Sequence, residues 1–238
     1  MIRINLWASP RNLSTALMYS FAQRSDTQVV DEPLYAHYLT QSGAMHPGRA
    51  EILASQEQVG KKVVENVMLG EYDKPVAFFK QMTHHLVGLD RSFMAACKNV
   101  ILIRDPASFI HSYTKVLPHP KLEDIGIAQA WELCQELRAQ DKLTAVLDAR
   151  QIRLNPRKVL SQLCEKLGIP FEEAMLSWPA GPRPEDGVWA PHWYHNVHRS
   201  TGFQPYEERA YAIAPHLSEL LEQAETYYQR LYPLAIKS

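Results

Sequence analysis

The chain has 238 residues, 46% of them apolar and 21% charged, a balance that excludes a disordered or fibrous polymer and suits one well-filled core. Its formal net charge is -1, so it lacks the basic excess of a protein that coats nucleic acid, and no nucleic-acid partner is expected. Cys97, Cys134 and Cys164 lie far apart without CxxC spacing, which gives neither a disulfide framework nor a zinc site. With no run of 18 apolar residues and no leader pattern, a cytoplasmic protein without a membrane partner is expected.

In chain order, apolar runs alternate with helical patterns. The predicted strands are Ile2–Ala8, Gln28–Val30, Val76–Phe79, Val100–Ile103 and Thr144–Leu147. Val100-Ile101-Leu102-Ile103 is apolar at every position, as a central strand covered on both faces must be. This rhythm predicts an α/β fold in three layers, a mostly parallel five-stranded sheet with helices on both faces, built as a single domain over 1–238. Asp105-Pro106 is predicted to cap a helix directly after the fourth strand. Asn155-Pro156 starts another, in which Val159, Leu160, Leu163, Cys164 and Leu167 recur at helical spacing until Gly168 and Pro170 stop it. Residues 178–203 are crowded with Pro, Gly, Trp and His and are predicted to be an irregular loop or lid. A C-terminal helical segment is predicted over 205–231, from about Tyr206 to Leu231, with a break near Pro215.

Two segments carry candidate chemistry. The first strand runs into Ser9-Pro10-Arg11-Asn12-Leu13-Ser14-Thr15 and then into helix, which sets backbone N–H groups and a positive dipole end beside a cation and two hydroxyls. That combination suits a phosphate or sulfate group; the plainer alternative is that Ser14 or Thr15 only caps the helix. GxxxxGK[ST] is absent, and with it the lysine that reaches the β- and γ-phosphates in P-loop kinases and ATPases. The second segment is Arg104 at the end of the fourth strand, with Ser112 and Tyr113 on the following helix. A guanidinium and a hydroxyl converging there could grip a second phosphate, unless Arg104 simply pairs with Asp105.

Together these segments resemble the PAPS-dependent sulfotransferases of the P-loop superfamily (PAPS is 3′-phosphoadenosine 5′-phosphosulfate, PAP its desulfated product). Ser-Pro-Arg-Asn-Leu-Ser-Thr is similar to that family's 5′-phosphosulfate loop, with Leu13 where glycine is usual and Arg11 in place of the commoner lysine. Arg104 and Ser112-Tyr113 resemble the 3′-phosphate motif with its spacing intact, and Asp148 to Gly168 resembles a later family segment. Arg199-Ser200-Thr201-Gly202 resembles the Arg-Lys-Gly segment that contacts the 3′-phosphate. The resemblance implies Pro10, Arg11, Asn12, Leu13, Ser14, Thr15, Arg104, Ser112 and Arg199 as donor-binding residues, PAPS as cofactor with no metal, and a small-molecule or carbohydrate hydroxyl as acceptor.

Arg11 is then expected to neutralise oxygens of the transferring group. Two places supply a base: Glu32 in Asp31-Glu32-Pro33-Leu34, and His84 or His85 in Lys80-Gln81-Met82-Thr83-His84-His85, each with a structural alternative as capping or loop-satisfying residues. The clustered Trp178, Trp189, Trp193, Tyr194, His192, His195 and His198 could line an acceptor pocket or merely pin the irregular segment. The alternatives to a sulfotransferase are a non-catalytic nucleotide-binding protein on the same fold and an atypical P-loop kinase.

Overall fold

A computed structural model describes residues 1–114 and 119–238. Five strands form one sheet: β1 (Ile2–Ala8), β2 (Thr27–Asp31), β3 (Val76–Met82), β4 (Lys98–Ile103) and β5 (Leu143–Asp148). Their order is β2-β3-β1-β4-β5, and each neighbouring pair is parallel. The sheet is therefore wholly parallel among the described residues.

Side chains alternate across a strand, so each strand feeds two cores. Ile4, Leu6 and Ala8 of β1 join Val100, Leu102 and Leu147 under one layer of helices, which includes α1 (Ser14–Ala22) and the helix Pro156–Leu167. Trp7, Ile101, Ile103 and Val146 point the other way, against the helices Pro106–Tyr113, Ile127–Ala139 and Ser218–Leu231. Burying both faces is what allows β4 to be apolar throughout. Phe21 of α1 stacks on Phe78 of β3 at 4.3 Å and 21°, fixing that helix over the strand beside its own.

The predicted caps form. Asp105 accepts from the Ser108 N–H (2.7 Å) ahead of Pro106, and Asn155 accepts from the Lys158 N–H (3.1 Å) ahead of Pro156. Gly168 closes the latter helix in the left-handed region at φ +76.

Two stretches differ from expectation. Residues 206–214 are not helical; the C-terminal helix begins at Ser218, after a short 3-10 turn at Pro215–Leu217. The cause is tertiary. Arg153 donates to the carbonyls of Gln204 (2.9 Å) and Pro205 (2.6 Å), and the Tyr206 ring lies on the guanidinium groups of Arg150 and Arg153 at 4.9 and 5.6 Å. Those contacts hold the chain extended across a helix-favouring composition. The irregular segment 178–203 contains two single-turn helices, Ala190–Trp193 and His195–His198. Trp178, Trp189 and Tyr194 are buried, and Asp186 accepts from Tyr19 Oη (2.6 Å) and lies 2.9 Å from His198 Nε2. The segment is thus pinned to α1 and to the sheet. No helix among the described residues is long and apolar enough to cross a membrane.

Candidate active site

A parallel sheet sends every strand's C-terminus to the same edge, and ligands of open α/β sheets bind there, where the crossovers diverge. Here they diverge at β1, which stands between β3 and β4. A cavity of about 700 Å³ opens at this edge, and it is lined from the loop after each strand: Arg11 after β1, Glu32 after β2, His85 after β3, Arg104 after β4 and Arg150 after β5.

The loop after β1 carries one strained residue. Arg11 has φ +55, a left-handed conformation that costs a non-glycine residue about 1–2 kcal/mol. Leu13, at the position where the resembling family has glycine, has φ -79 and needs no such freedom; its side chain packs on the core. Asn12 holds the loop to the sheet by donating to the Leu102 carbonyl (3.1 Å) and accepting from the Leu13 N–H (2.9 Å). No side chain caps α1, so Ser14 and Thr15 are not engaged as its cap. The first N–H of the helix to bond backwards is that of Leu17, to Leu13 (2.9 Å). The N–H groups of Ser14, Thr15 and Ala16 precede it and point out of the first turn, at the cavity wall.

Arg104 does not pair with Asp105, which is occupied as a helix cap. Its guanidinium donates to Ser108 Oγ (3.1 and 2.8 Å) and to the Arg11 carbonyl. The two arginine-bearing loops therefore touch. Burial pulls the Arg104 guanidinium below its ordinary pKa; the charges of Arg153 and Arg11 add to the effect, and Tyr211 and Asp105 oppose it. Arg150, Arg153 and Ser112 border the same cavity. This end is a concentration of positive charge around one guanidinium whose bonds among the described residues all go to neutral oxygens, and an anion would relieve it.

At the other end the charge is arranged differently. Lys80 is the last strongly polar residue one would expect inside β3, yet it is 1% exposed. Its three donors are all used: Asp31 Oδ1 at 2.9 Å, Tyr194 Oη at 2.6 Å, and Glu32 Oε1 in a close ion pair. Register explains the first, since Asp31 of β2 lies directly beside Lys80 of β3. Tyr194 in turn donates to Asp31 Oδ2 (2.7 Å) and accepts from Trp189 Nε1 (3.0 Å), so the irregular segment closes the cluster. Burial works against the Lys80 charge, but Asp31 and Glu32 outweigh it and keep the amine protonated.

Glu32, with φ +39, is held by its N–H to the Lys80 carbonyl (2.8 Å) and is nearly enclosed. Burial pushes its carboxyl up to about 7; Lys80 opposes the shift and Asp31 reinforces it. His85 lies between Tyr35 and Tyr38, stacked on each at 4.9 Å, with Nε2 3.9 Å from Glu32 Oε2. Burial lowers His85 well below the usual imidazole range, and burial with His46 takes His84 down to about 3. Of the three base candidates, only Glu32 titrates near neutrality.

Pro10, Arg11, Asn12, Leu13, Ser14 and Thr15 thus border one cavity with Arg104, Ser112, Glu32, His84 and His85. Arg199 does not; it is exposed, and its neighbours Ser200 and Gly202 line the wall instead. Sequence reasoning passed over Lys80 and Asp31 as functional residues, although a lysine ending the run Val-Ala-Phe-Phe demands a buried partner. It also passed over Arg150 and Arg153, and Tyr194 was noted only as one of many aromatics. No group of His, Cys, Asp and Glu among the described residues is arranged to hold a metal ion.

The fold is thus a parallel α/β sheet whose C-terminal edge sets guanidinium groups opposite a buried carboxylate. The sequence profile of a sulfotransferase domain, Sulfotransfer_5, matches residues 2–235, and the chain belongs to that family. It is 42% identical over 229 residues to branched-chain-amino-acid aminotransferase-like protein 1 of Arabidopsis thaliana and 39% identical over 229 residues to protein 2 of the same name. Each match covers 96% of this chain and 41% of the plant protein, so the chain spans about two-fifths of the length of these relatives. Among solved structures, the sulfotransferase domain of the Synechococcus PCC 7002 olefin synthase superposes with a TM-score of 0.56 at 19% identity, covering 96% of this chain and 94% of its own. That of the curacin biosynthetic pathway gives 0.54 at 17%, covering 97% of each chain. These likenesses show the fold.

Proposed function

We propose that the protein transfers a sulfuryl group from PAPS to a hydroxyl acceptor, and that the observation carrying this reading is the contact between the Arg104 guanidinium and the Arg11 loop within one cavity. A nucleotide with phosphates at both 3′ and 5′ positions needs two anion cradles that open on the same space. Arg104, with Ser108 and Ser112 on the adjacent helix, would hold the 3′-phosphate, with Arg150 and Arg153 adding charge. The N–H groups at the start of α1 and the hydroxyls of Ser14 and Thr15 would hold the 5′-phosphate.

PAPS supplies an activated sulfuryl group whose leaving oxygen belongs to that 5′-phosphate. Arg11 stabilises the charge that gathers there as the donor S–O bond breaks. The acceptor oxygen forms the new bond to sulfur, and its proton passes to Glu32, whose carboxyl titrates near neutrality. Lys80 and Asp31 hold that carboxylate in place. Positioning and electrostatics dominate, as in phosphoryl transfer, and this chemistry needs no metal.

Titration calorimetry with PAP, and with ATP in the presence and absence of Mg²⁺, tests the reading. Micromolar PAP binding indifferent to Mg²⁺ is expected. A preference for Mg-ATP would replace it with a kinase, and PAP binding without turnover of any acceptor would leave a non-catalytic nucleotide-binding protein.

A further inference from the structure

The cavity is sharply divided in charge. Its guanidinium groups, those of Arg11, Arg104, Arg150 and Arg153, come from the donor side, while the ammonium of Lys80 is fully occupied by Asp31, Glu32 and Tyr194. The opposite wall is aromatic. Tyr35, His46, His84 and His85 line it; Tyr35 Oη meets His46 Nδ1 at 2.8 Å, and Tyr38 packs on the His84 and His85 rings at 4.6 and 4.9 Å.

Asp124 borders this wall, presented by the turn Leu122–Ile125. One of its oxygens accepts from the Lys121 N–H at 2.7 Å. Gly126 follows at φ +73, and a Cβ there would meet Ser9 Cβ and Thr83 Oγ1 at 3.3 Å, so the turn sits tightly against the site. The Asp124 charge is near enough to raise the phenols of Tyr38 and Tyr113 and to oppose the lowering of His46.

A second, independent feature concerns His85. It is 1% exposed and lines the cavity, yet its Nδ1 has no hydrogen-bond partner among the described residues. An unmatched polar atom so deeply enclosed is costly unless a ligand group meets it.

We propose that the acceptor is a hydroxyl compound that also carries an ammonium group, received on the acceptor side of the cavity between the aromatic wall at His46 and the carboxylate of Asp124. This rests on the sulfuryl-transfer reading and adds the acceptor's charge class to it. Aromatic faces and a carboxylate both attract a cation, and a desolvated cation over such faces is held more strongly than one in water. The imidazoles do not oppose it, because burial keeps His46 and His84 uncharged at neutral pH. An acceptor bearing a carboxylate or phosphate would meet Asp124 and Glu32, and the Lys80 ammonium is already occupied.

Three probes share one phenol and differ in charge: tyramine, 4-ethylphenol and 4-hydroxyphenylacetate. Calorimetry on the protein, with and without saturating PAP, is expected to show tyramine binding about tenfold tighter than 4-ethylphenol, and 4-hydroxyphenylacetate about tenfold weaker than it. Asp124→Asn keeps the acceptor oxygen for the Lys121 N–H but removes the charge. It is expected to bring tyramine to within about threefold of 4-ethylphenol. Equal binding of the three probes, tighter binding of the carboxylate, binding of none, or an unchanged tyramine preference in Asp124→Asn would overturn the proposal. Absence of PAP binding would overturn the sulfuryl-transfer reading instead, and the charge order remains readable without PAP.

Discussion

Arg104→Ala is expected to weaken PAP binding by between about 30-fold and about 3,000-fold. Truncating one partner of a buried, hydrogen-bonded charge pair costs about 2–5 kcal/mol, and roughly 1.4 kcal/mol corresponds to a factor of ten. Arg104 is suited to this effect because among the described residues it bonds only to the Ser108 hydroxyl and the Arg11 carbonyl, leaving its charge for a ligand. Arg104→Lys retains the charge but loses the planar fork, so an intermediate loss of about tenfold is expected. Thermal unfolding of both variants separates a collapsed loop from a lost ligand contact. Calorimetry that finds PAP affinity unchanged in a folded Arg104→Ala protein removes this residue from the donor site.

Glu32→Gln is expected to lower kcat by about 10²- to 10⁴-fold, the usual contribution of a positioned base, while PAP affinity stays the same. The glutamine amide keeps the shape of the side chain and cannot take a proton. The pH profile carries the sign. A base acts in its ionised form, so the wild-type rate is expected to fall as pH drops through about 7, where burial has placed the carboxyl, and to level off above it. Burial sets that value, with Lys80 opposing it from β3 and Asp31 reinforcing it from β2, while Tyr194, Trp189 and His85 are packed around the cluster. If His85 were the base, the midpoint would lie well below the usual imidazole range, because burial and the neighbouring His84 and Lys80 disfavour its charged form. A rate that is flat between pH 5 and pH 8, or a fully active Glu32→Gln, contradicts the role given to Glu32.

How far the fold could be read from the sequence depends on which residues carried the pattern. β1 is predicted and found over Ile2–Ala8, because an apolar run ends there in a polar loop. β3 extends three residues past Phe79, to Met82. Lys80 and Gln81 read as the end of a strand, but both are buried, and Lys80 is stable there only through Asp31, Glu32 and Tyr194. Periodicity sees hydrophobicity and is blind to a satisfied charge. The stretch 206–214 fails for the opposite reason. Its glutamates, arginine and alanines favour a helix locally, but Arg153 and Arg150 fasten its start in extended form.

The site divides along the same line. Segments such as the loop around Arg11 and the strand end at Arg104 are local in sequence, and their residue types declare an anion. Their meeting is not local. Only the parallel order β3-β1-β4 sets the ends of β1 and β4 side by side, so that Arg104 can reach the Arg11 carbonyl. The Lys80 cluster is assembled from β2, β3 and a tyrosine more than a hundred residues further along, and no short motif announces it. Arg199 illustrates the converse. Its tetrapeptide distantly resembles a family segment, but the chain enters that region as single-turn helices and leaves the side chain in solvent, with Ser200 and Gly202 at the cavity instead.

The central claim is that one ligand carrying two phosphate-type groups spans the Arg11 and Arg104 cradles at once. Calorimetric comparison of PAP with adenosine 5′-phosphate, which lacks only the 3′-phosphate, tests it most directly. PAP is expected to bind at least about 30-fold tighter in wild type, as the loss of a charge-assisted contact worth about 2 kcal/mol or more requires, and Arg104→Ala is expected to erase most of that advantage. Equal affinities for the two nucleotides, or an advantage untouched by Arg104→Ala, would mean that the two cradles do not share a ligand.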